Sequence, residues 1–318
     1  MVDAWLQRVG LSTLDGLDYI AIVGPTGVGK SSCALMLARA YPNKFEIVSC
    51  DSVQVYRGLD IGSAKVSESI RSEITHHLID ICDVNERYSA QRFALDARDA
   101  IACIRKKGKR AIVVGGTFLY LQAFLSGLTP VDQISAEATV HVSSLISAGL
   151  DKAWSILQEV DPVTSQRIDK NDRCRIERAL LVYFSTQKTI TEWRTQPRQK
   201  CHDFSGVTLA ILPDCRERLK AQLALRFDAM LSAGLLNELS SLLQEYPEIS
   251  PDLPSMRSIG YRQALLHLRG ELSHDQMRQD AITATRRYLK RQLTWLRSMP
   301  DVDASFLGAE EWMKYLNE

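Results

Sequence analysis

The chain is short of several features that would assign it at once. Its seven cysteines include no C-x-x-C pair and their number is odd. That argues against a disulfide frame or a zinc knuckle and for reduced thiols, so a cytoplasmic setting is expected. No apolar run approaches the ~18 residues of a membrane span, and Met1-Val2-Asp3-Ala4 begins no signal peptide, so no membrane association is expected. Neither sign of charge dominates: 39 Lys and Arg face 38 Asp and Glu, a net charge of +1. A nucleic-acid partner would have to be met by a local basic surface. The 318 residues suffice for one large domain or two ordinary ones with ample core.

What is present is organised around Ile22 to Ser32, IVGPTGVGKSS. Gly24, Pro25, Thr26, Gly27, Val28, Gly29, Lys30 and Ser31 fit the phosphate-loop pattern of a glycine, four residues, then Gly-Lys-Ser/Thr. Tyr19 to Val23 before it is a short β-branched apolar run of the kind that becomes a buried parallel strand. Ser31 to Ala40 after it has helical composition. Strand, loop and helix would place backbone N–H groups and a helix N-terminus around one anion. Lys30 would reach the outer phosphates and the Ser31 hydroxyl would sit on Mg²⁺. The loop predicts a di- or triphosphate ligand and leaves its identity open.

Phe45 to Cys50 reads as a second strand that delivers Asp51 to Tyr56 at its C-terminal end. In an open parallel sheet that edge is where ligands bind, though an Asp just after a strand is also a common turn or cap residue. His76 to Ile81 reads as a third strand. Its two histidines would point to opposite faces, a poor metal pair. Tyr88-Ser89-Ala90 caps a helix from Gln91 to about Lys107, whose Arg105-Lys106-Lys107 reads as a solvated end. Ala111 to Val114 is a further buried strand, followed by Gly115-Gly116-Thr117. Strand signal stops between Val131 and Lys200 and returns at Val207 to Leu212, so residues 131–200 read as a helical insertion between 1–130 and 201–318. Beyond Pro213 the chain reads as nearly all helix. Within it, Ala281 to Met299 holds no acidic residue and five Lys/Arg. Leu289, Leu293 and Leu296 share one helical face, while Arg286, Lys290 and Arg297 lie on another and Arg291 stands near Tyr288 and Trp295. The absence of compensating acids favours a polyanion-binding stripe with aromatic platforms over an ordinary solvated face.

Together these pieces resemble the tRNA dimethylallyltransferases, or tRNA isopentenyltransferases, of the bacterial MiaA type. The resemblance is carried by Gly24 to Ser31, Asp51-Ser-Val-Gln-Val-Tyr56, Asp60-Ile-Gly-Ser-Ala-Lys65, His76-His-Leu-Ile-Asp80, Tyr88-Ser-Ala90 and Gly115-Gly-Thr117. It continues through Asn171-Asp172, Arg175-Ile176, Arg178-Ala-Leu180 and Arg257-Ser-Ile-Gly-Tyr261 to Lys290-Arg-Gln-Leu-Thr-Trp-Leu-Arg297. It runs in order from about residue 20 to 298. Three positions depart from the family's usual pattern: Phe118, Arg173 and Cys174.

The resemblance implies an α/β fold with a P-loop-type core, a parallel sheet flanked by helices, and an inserted all-helical domain. It implies transfer of a dimethylallyl group from dimethylallyl diphosphate to N6 of the adenosine just 3′ of the anticodon in tRNA, with Mg²⁺ as cofactor. Asp51, Lys30 and Thr117 would be catalytic. The anticodon stem-loop would be held by Asp51, Ser52, Val53, Gln54 and Thr117, and by Cys174, Arg175, Ile176, Glu177 and Arg178. Further contacts would come from Arg257, Ser258, Ile259, Gly260, Tyr261 and Arg262, and from Arg286, Lys290, Arg291, Gln292, Trp295 and Arg297. The chain is expected to act as a monomer. Two alternatives share the loop: a small-molecule P-loop kinase, and a prenyltransferase acting on free adenine nucleotides. Neither accounts for the acid-free basic helix.

Overall fold

The computed structural model describes residues 16–129, 131, 134–299 and 302–316. The sequence reads residues 1–18 as a short helical or irregular lead-in, of which 1–15 lie outside the described residues. The chain divides into two compact units, Met1–Leu125 with Cys201–Glu318, and Ser126–Lys200.

The first unit is built on six parallel strands: β1 (Tyr19–Val23), β2 (Phe45–Cys50), β3 (His76–His77), β4 (Arg110–Gly115), β5 (Gly206–Leu212) and β6 (Ala304–Leu307). They are ordered β3-β2-β4-β1-β5-β6. All residues of β1 and β2 are buried, as expected of strands covered on both faces. Helix α1 (Lys30–Ala40) follows the loop and buries Cys33, Ala34 and Leu37 against Ile20, Ile22, Ile47 and Ile112. Helices α2 (Glu68–Glu73), α3 (Ala90–Lys106) and α4 (Phe118–Leu125) follow in order. Ser89 caps α3 by accepting from Arg92 N–H at 3.1 Å.

The register decides where the chemistry falls. Val23 and Cys50 are both level with Gly115. The residues that follow, Gly24, Asp51 and Gly116, therefore leave the sheet side by side at its C-terminal edge.

Two expectations about strands are corrected. The third strand ends after His77, because the segment beyond it pairs with a loop instead of the sheet. Asp80, Ile81 and Cys82 donate their N–H groups to the carbonyls of Gln54 and Val55 at 2.8–3.1 Å. Leu78 and Asp80 take left-handed φ values of 62° and 57° to make that turn. The stretch after Pro213 is also not nearly all helix. β6 adds to the edge of β5, and the following helix presents Trp312 edge-on to Phe306 at 5.1 Å.

Arg105–Lys107 is likewise more than a solvated helix end. Arg105 pairs with Asp18 at 2.8 Å. Lys107, with Lys109 and His77, surrounds Glu46, which sits in β2 with 2% of its side chain exposed. Burial pushes the Glu46 carboxyl up, but hydrogen bonds from His77, Lys107 and Lys109 outweigh this and bring it down to about 2.

The second unit, described by itself, is a small helical bundle of α5 (Ala136–Ala148), α6 (Leu150–Val160), α7 (Pro162–Ser165), α8 (Arg173–Thr186) and α9 (Ile190–Trp193). Its core joins Val142, Ile146, Ala153, Leu157, Ile176 and Leu180. Asp161 ties it together, accepting from Thr164 N–H at 3.0 Å and from the Thr191 hydroxyl at 2.6 Å.

In the first unit the chain finishes with α10 (Arg216–Ser232), α11 (Leu235–Glu245), α12 (Tyr261–Leu268), the long α13 (His274–Arg297) and α14 (Gly308–Leu316). Leu219 and Leu223 of α10 meet Leu289 and Leu293 of α13. This brings the basic helix across the C-terminal edge of the sheet.

Candidate active site

At that edge lies a cavity of about 410 Å³ lined by the phosphate loop, Ser31, Ser49, Asp51, Gly116, Arg226 and Gln292. A second, of about 370 Å³, shares Thr26, Asp51, Ser63, Arg226 and Tyr288 with it, so the two adjoin. The second is walled by Leu223, Phe227, Met230, Pro254 and Ile259, and holds Ser52, Thr117, Arg257 and Arg291. The site is thus a polar anion pocket beside an amphipathic one, with Asp51 lining both.

Gly29 adopts a left-handed φ of 96° at the N-terminus of α1, a conformation that lets the loop turn into the helix. Lys30 reaches back along the loop, its Nζ donating to the Pro25 carbonyl at 2.7 Å. Burial lowers its pKa to about 8; Asp51 opposes this and Arg226 adds to it. Arg226 as a whole is exposed, yet burial around its guanidinium lowers its pKa too, against an upward pull from Asp51. Lys30 and Arg226 therefore crowd two cations around one pocket, and Asp51 is the carboxylate that acts on both. Such a pocket gains from an anion.

Asp51 serves the turn as well as the site. Its Oδ1 accepts from Val53 N–H at 2.8 Å and Gln54 N–H at 3.3 Å. Among the described residues nothing hydrogen-bonds to Oδ2, which leaves that oxygen for substrate. Thr117 Oγ1 accepts from Ser52 N–H at 3.2 Å, which links the β2 and β4 ends. Tyr288 donates to the Gly116 carbonyl at 3.3 Å. Its phenol is pushed up to about 12 by burial and then by Asp51.

A cation at Ser31 would find oxygen donors. The Ser31 hydroxyl lines the same cavity as Ser32, Ser49 and Asp51, while among the described residues no cluster of three or more His, Cys, Asp or Glu exists. That donor set fits Mg²⁺ carried mainly by a substrate's phosphates and its own waters.

Other sequence-predicted residues are distributed as follows. Ser52, Val53, Arg257, Ser258, Ile259 and Arg291 line the second cavity with Asp51. Arg286, Lys290, Trp295 and Arg297 are exposed on α13, and the Arg291 guanidinium lies 5.5 Å from the Tyr288 ring centre. Tyr288 itself therefore lines the cavity and is not an outer platform. Cys174, Arg175, Glu177 and Arg178 lie on the first turns of α8, in the helical unit.

Two assignments to RNA, Ile176 and Tyr261, need correction because those side chains are fully buried, and other residues assigned to RNA have hydrogen-bond partners inside the protein. Ile176 is fully buried in the helical unit's core. Tyr261 is fully buried; its hydroxyl donates to Glu238 at 2.5 Å and accepts from Gly62 N–H at 3.0 Å. Gly260 is buried at the start of α12. Arg262 donates to the Pro251 carbonyl at 3.1 Å. Gln54 accepts from the Ser49 hydroxyl at 3.0 Å and donates to Ser63 O at 3.4 Å. Gln292 is 3% exposed and sits beneath the phosphate loop. Sequence reasoning also missed Arg226, which nothing in its own helix singles out.

A family model described as IPP transferase matches residues 54–299 of the chain. The chain belongs to the IPP transferase family. Among curated IPP transferase relatives, a tRNA dimethylallyltransferase of Nitrosomonas europaea is 43% identical over 284 residues, covering 88% of each chain. One from Halorhodospira halophila is 42% identical over 283 residues, covering 89% of this chain and 90% of the relative. Among solved structures, the full-length tRNA isopentenylpyrophosphate transferase of Bacillus halodurans matches with a TM-score of 0.66 at 30% identity, covering 94% of both chains. A eukaryotic dimethylallyltransferase captured acting on tRNA matches with a TM-score of 0.74 at 28% identity, over 92% of this chain and 75% of that one. Among the described residues no helix is long and apolar enough to cross a membrane.

Proposed function

We propose that this chain is a tRNA dimethylallyltransferase, moving a dimethylallyl group from dimethylallyl diphosphate to N6 of the adenosine immediately 3′ of the anticodon and releasing diphosphate. The observation that carries the reading is Asp51 lining both a cationic phosphate pocket and an adjoining pocket with apolar walls.

The diphosphate lies against the loop amides with Lys30 and Arg226 beside it. As the allylic C–O bond breaks, negative charge grows on the departing diphosphate, and these preorganised cations stabilise it more in the transition state than in the ground state. The adenine N6 forms the new C–N bond as its proton passes to Asp51 Oδ2. Thr117, held by Ser52 N–H, orients the exocyclic amine. Leu223, Phe227, Met230 and Ile259 keep water from the allylic centre. Mg²⁺, held at Ser31 and on the phosphates, would supply further neutralisation of the leaving group. The adenine must leave its stack in the anticodon loop to enter, at a cost of a few kcal/mol. Lys290 and the other exposed cations of α13 neutralise RNA phosphates outside the pocket.

The test is to incubate the protein with labelled dimethylallyl diphosphate and, separately, unmodified tRNA, AMP or ATP. Label in tRNA alone supports the reading. Label in AMP without tRNA would make the enzyme a free-nucleotide prenyltransferase, and no transfer to any acceptor would refute the assignment.

A further inference from the structure

Gln292 is 3% exposed on a helix face otherwise made of Leu289, Leu293 and Leu296. A carboxamide in such a place is costly unless both its ends are hydrogen-bonded. Both are. Its Oε1 accepts from Thr26 N–H at 2.9 Å, and its Nε2 donates to the Gly116 carbonyl at 2.8 Å. A Cβ at 116 would come within 2.8 Å of both Nε2 and the backbone Gly24 carbonyl oxygen, so this close approach requires glycine.

Thr26 N–H belongs to the same peptide unit as the Pro25 carbonyl, the group that accepts from Lys30 Nζ at 2.7 Å. One peptide plane is thus held at both edges, by Gln292 on its N–H and by Lys30 on its C=O. Because the unit is planar and trans, fixing the direction of the N–H fixes that of the carbonyl.

We propose that Gln292 is a positioning residue for Lys30. It sets the plane of the Pro25–Thr26 peptide and, through that carbonyl, the place of the ammonium that meets the departing diphosphate. This rests on the transferase reading above. Gln292 is carried on the same helix as the exposed Lys290 and Trp295, so one side chain ties the phosphate loop to the basic helix. A leucine at 292 would suit its apolar neighbours, but it would leave Thr26 N–H unsatisfied and the peptide free to turn.

A double-mutant cycle between Gln292→Met and Lys30→Ala tests this. Met keeps the length and removes both polar ends. With Lys30 present, Gln292→Met should lower the single-turnover rate at saturating substrates about tenfold and leave the tRNA KM unchanged. In the Lys30→Ala background it should change the rate less than about twofold, since no ammonium is left to place. Binding of inorganic diphosphate, measured by calorimetry in the same four proteins, should show the same non-additivity. That readout needs no acceptor: a wild type that binds diphosphate but transfers nothing defeats the transferase reading, and the binding cycle still decides Gln292. Additive losses would overturn the proposal, as would a loss confined to tRNA affinity. Failure of both Gln292→Met and Gln292→Leu to fold would also overturn it, by making the residue structural.

Discussion

Replacing Asp51 with Asn should move the alkaline limb of kcat/KM for dimethylallyl diphosphate to lower pH, and replacing Arg226 with Gln should move it to higher pH. That limb reports ionisations of the form of the protein that meets dimethylallyl diphosphate, and Lys30 is the group placed to titrate there. Burial brings its pKa from 10.5 down to about 8, with Asp51 acting against the shift and Arg226 with it. The ammonium is the form that stabilises a departing diphosphate. With a pKa of about 8, about nine in ten Lys30 side chains are charged at pH 7 and about one in ten at pH 9, so kcat/KM should fall about tenfold over that interval. The signs then follow from charge. Removing the carboxylate leaves burial less opposed and lowers the pKa, while removing the guanidinium relieves a like charge and raises it.

The assay is the initial rate at subsaturating dimethylallyl diphosphate and saturating tRNA, above the last ionisation of the substrate's own diphosphate. Both substitutions also lower the absolute rate, but the position of the limb does not depend on its height. Lys30→Ala should abolish the limb. If the limb stays in place in both variants, or the two move it in the opposite order, then the proton being titrated is not on Lys30.

Three further outcomes are expected. Asp51→Ala should slow single-turnover transfer by about 10²–10⁴-fold while inorganic diphosphate still binds; Asp51→Asn, which keeps shape and removes basicity, should match it, and a near-normal rate in either would remove Asp51 as the base. Lys290→Ala should weaken tRNA binding and reduce the slope of log K against log salt by roughly 0.7 without changing the KM for dimethylallyl diphosphate; a salt slope equal to wild type would make Lys290 a solvated surface charge. Glu46→Gln should destabilise the fold at neutral pH by on the order of 3 kcal/mol, the equivalent of moving a buried carboxyl from 4.5 to about 2. Because the folded value is the lower one, that contribution is present above about pH 4.5 and lost as pH falls toward 2, so urea melts of the two proteins should converge in acid; a gap that persists there would mean that the charge is not its source.

The parts of the fold that were legible in the sequence are those whose cause is local. Tyr19–Val23, the glycine loop and the following helix are contiguous, and the order strand, loop, helix leaves little choice of geometry. Asp51 could be placed near the loop because parallel strands present their C-terminal ends at one edge, and the register Cys50↔Gly115↔Val23 does this. What failed had distant causes. Leu78-Ile79 has the composition of a strand, but Asp80 is held by Lys65 at 2.5 Å and Arg71 at 2.7 Å, and its N–H goes to the Gln54 carbonyl. Those partners lie up to 26 residues upstream, and a window of strand propensity does not contain them. The sixth strand is four residues long and owes its existence to pairing with β5, almost a hundred positions earlier.

Among site residues the same distinction separates Arg226 from Gln292. Arg226 lies on α10, a helix of ordinary mixed composition, and only its proximity to Asp51 and Lys30, far away in sequence, gives it a role. No local pattern could have selected it. Gln292 was different. Leu289, Leu293 and Leu296 define the buried face of α13, and a residue three after Leu289 and four before Leu296 must lie on that same face. A carboxamide at such a position cannot be solvated by turning outward, so it needs a donor and an acceptor inside the protein. The family resemblance, carried by the whole Lys290–Arg297 stretch, assigns Gln292 to RNA. The helical period alone assigned the side chain to the interior, where the phosphate loop supplies the donor and the turn after β4 the acceptor.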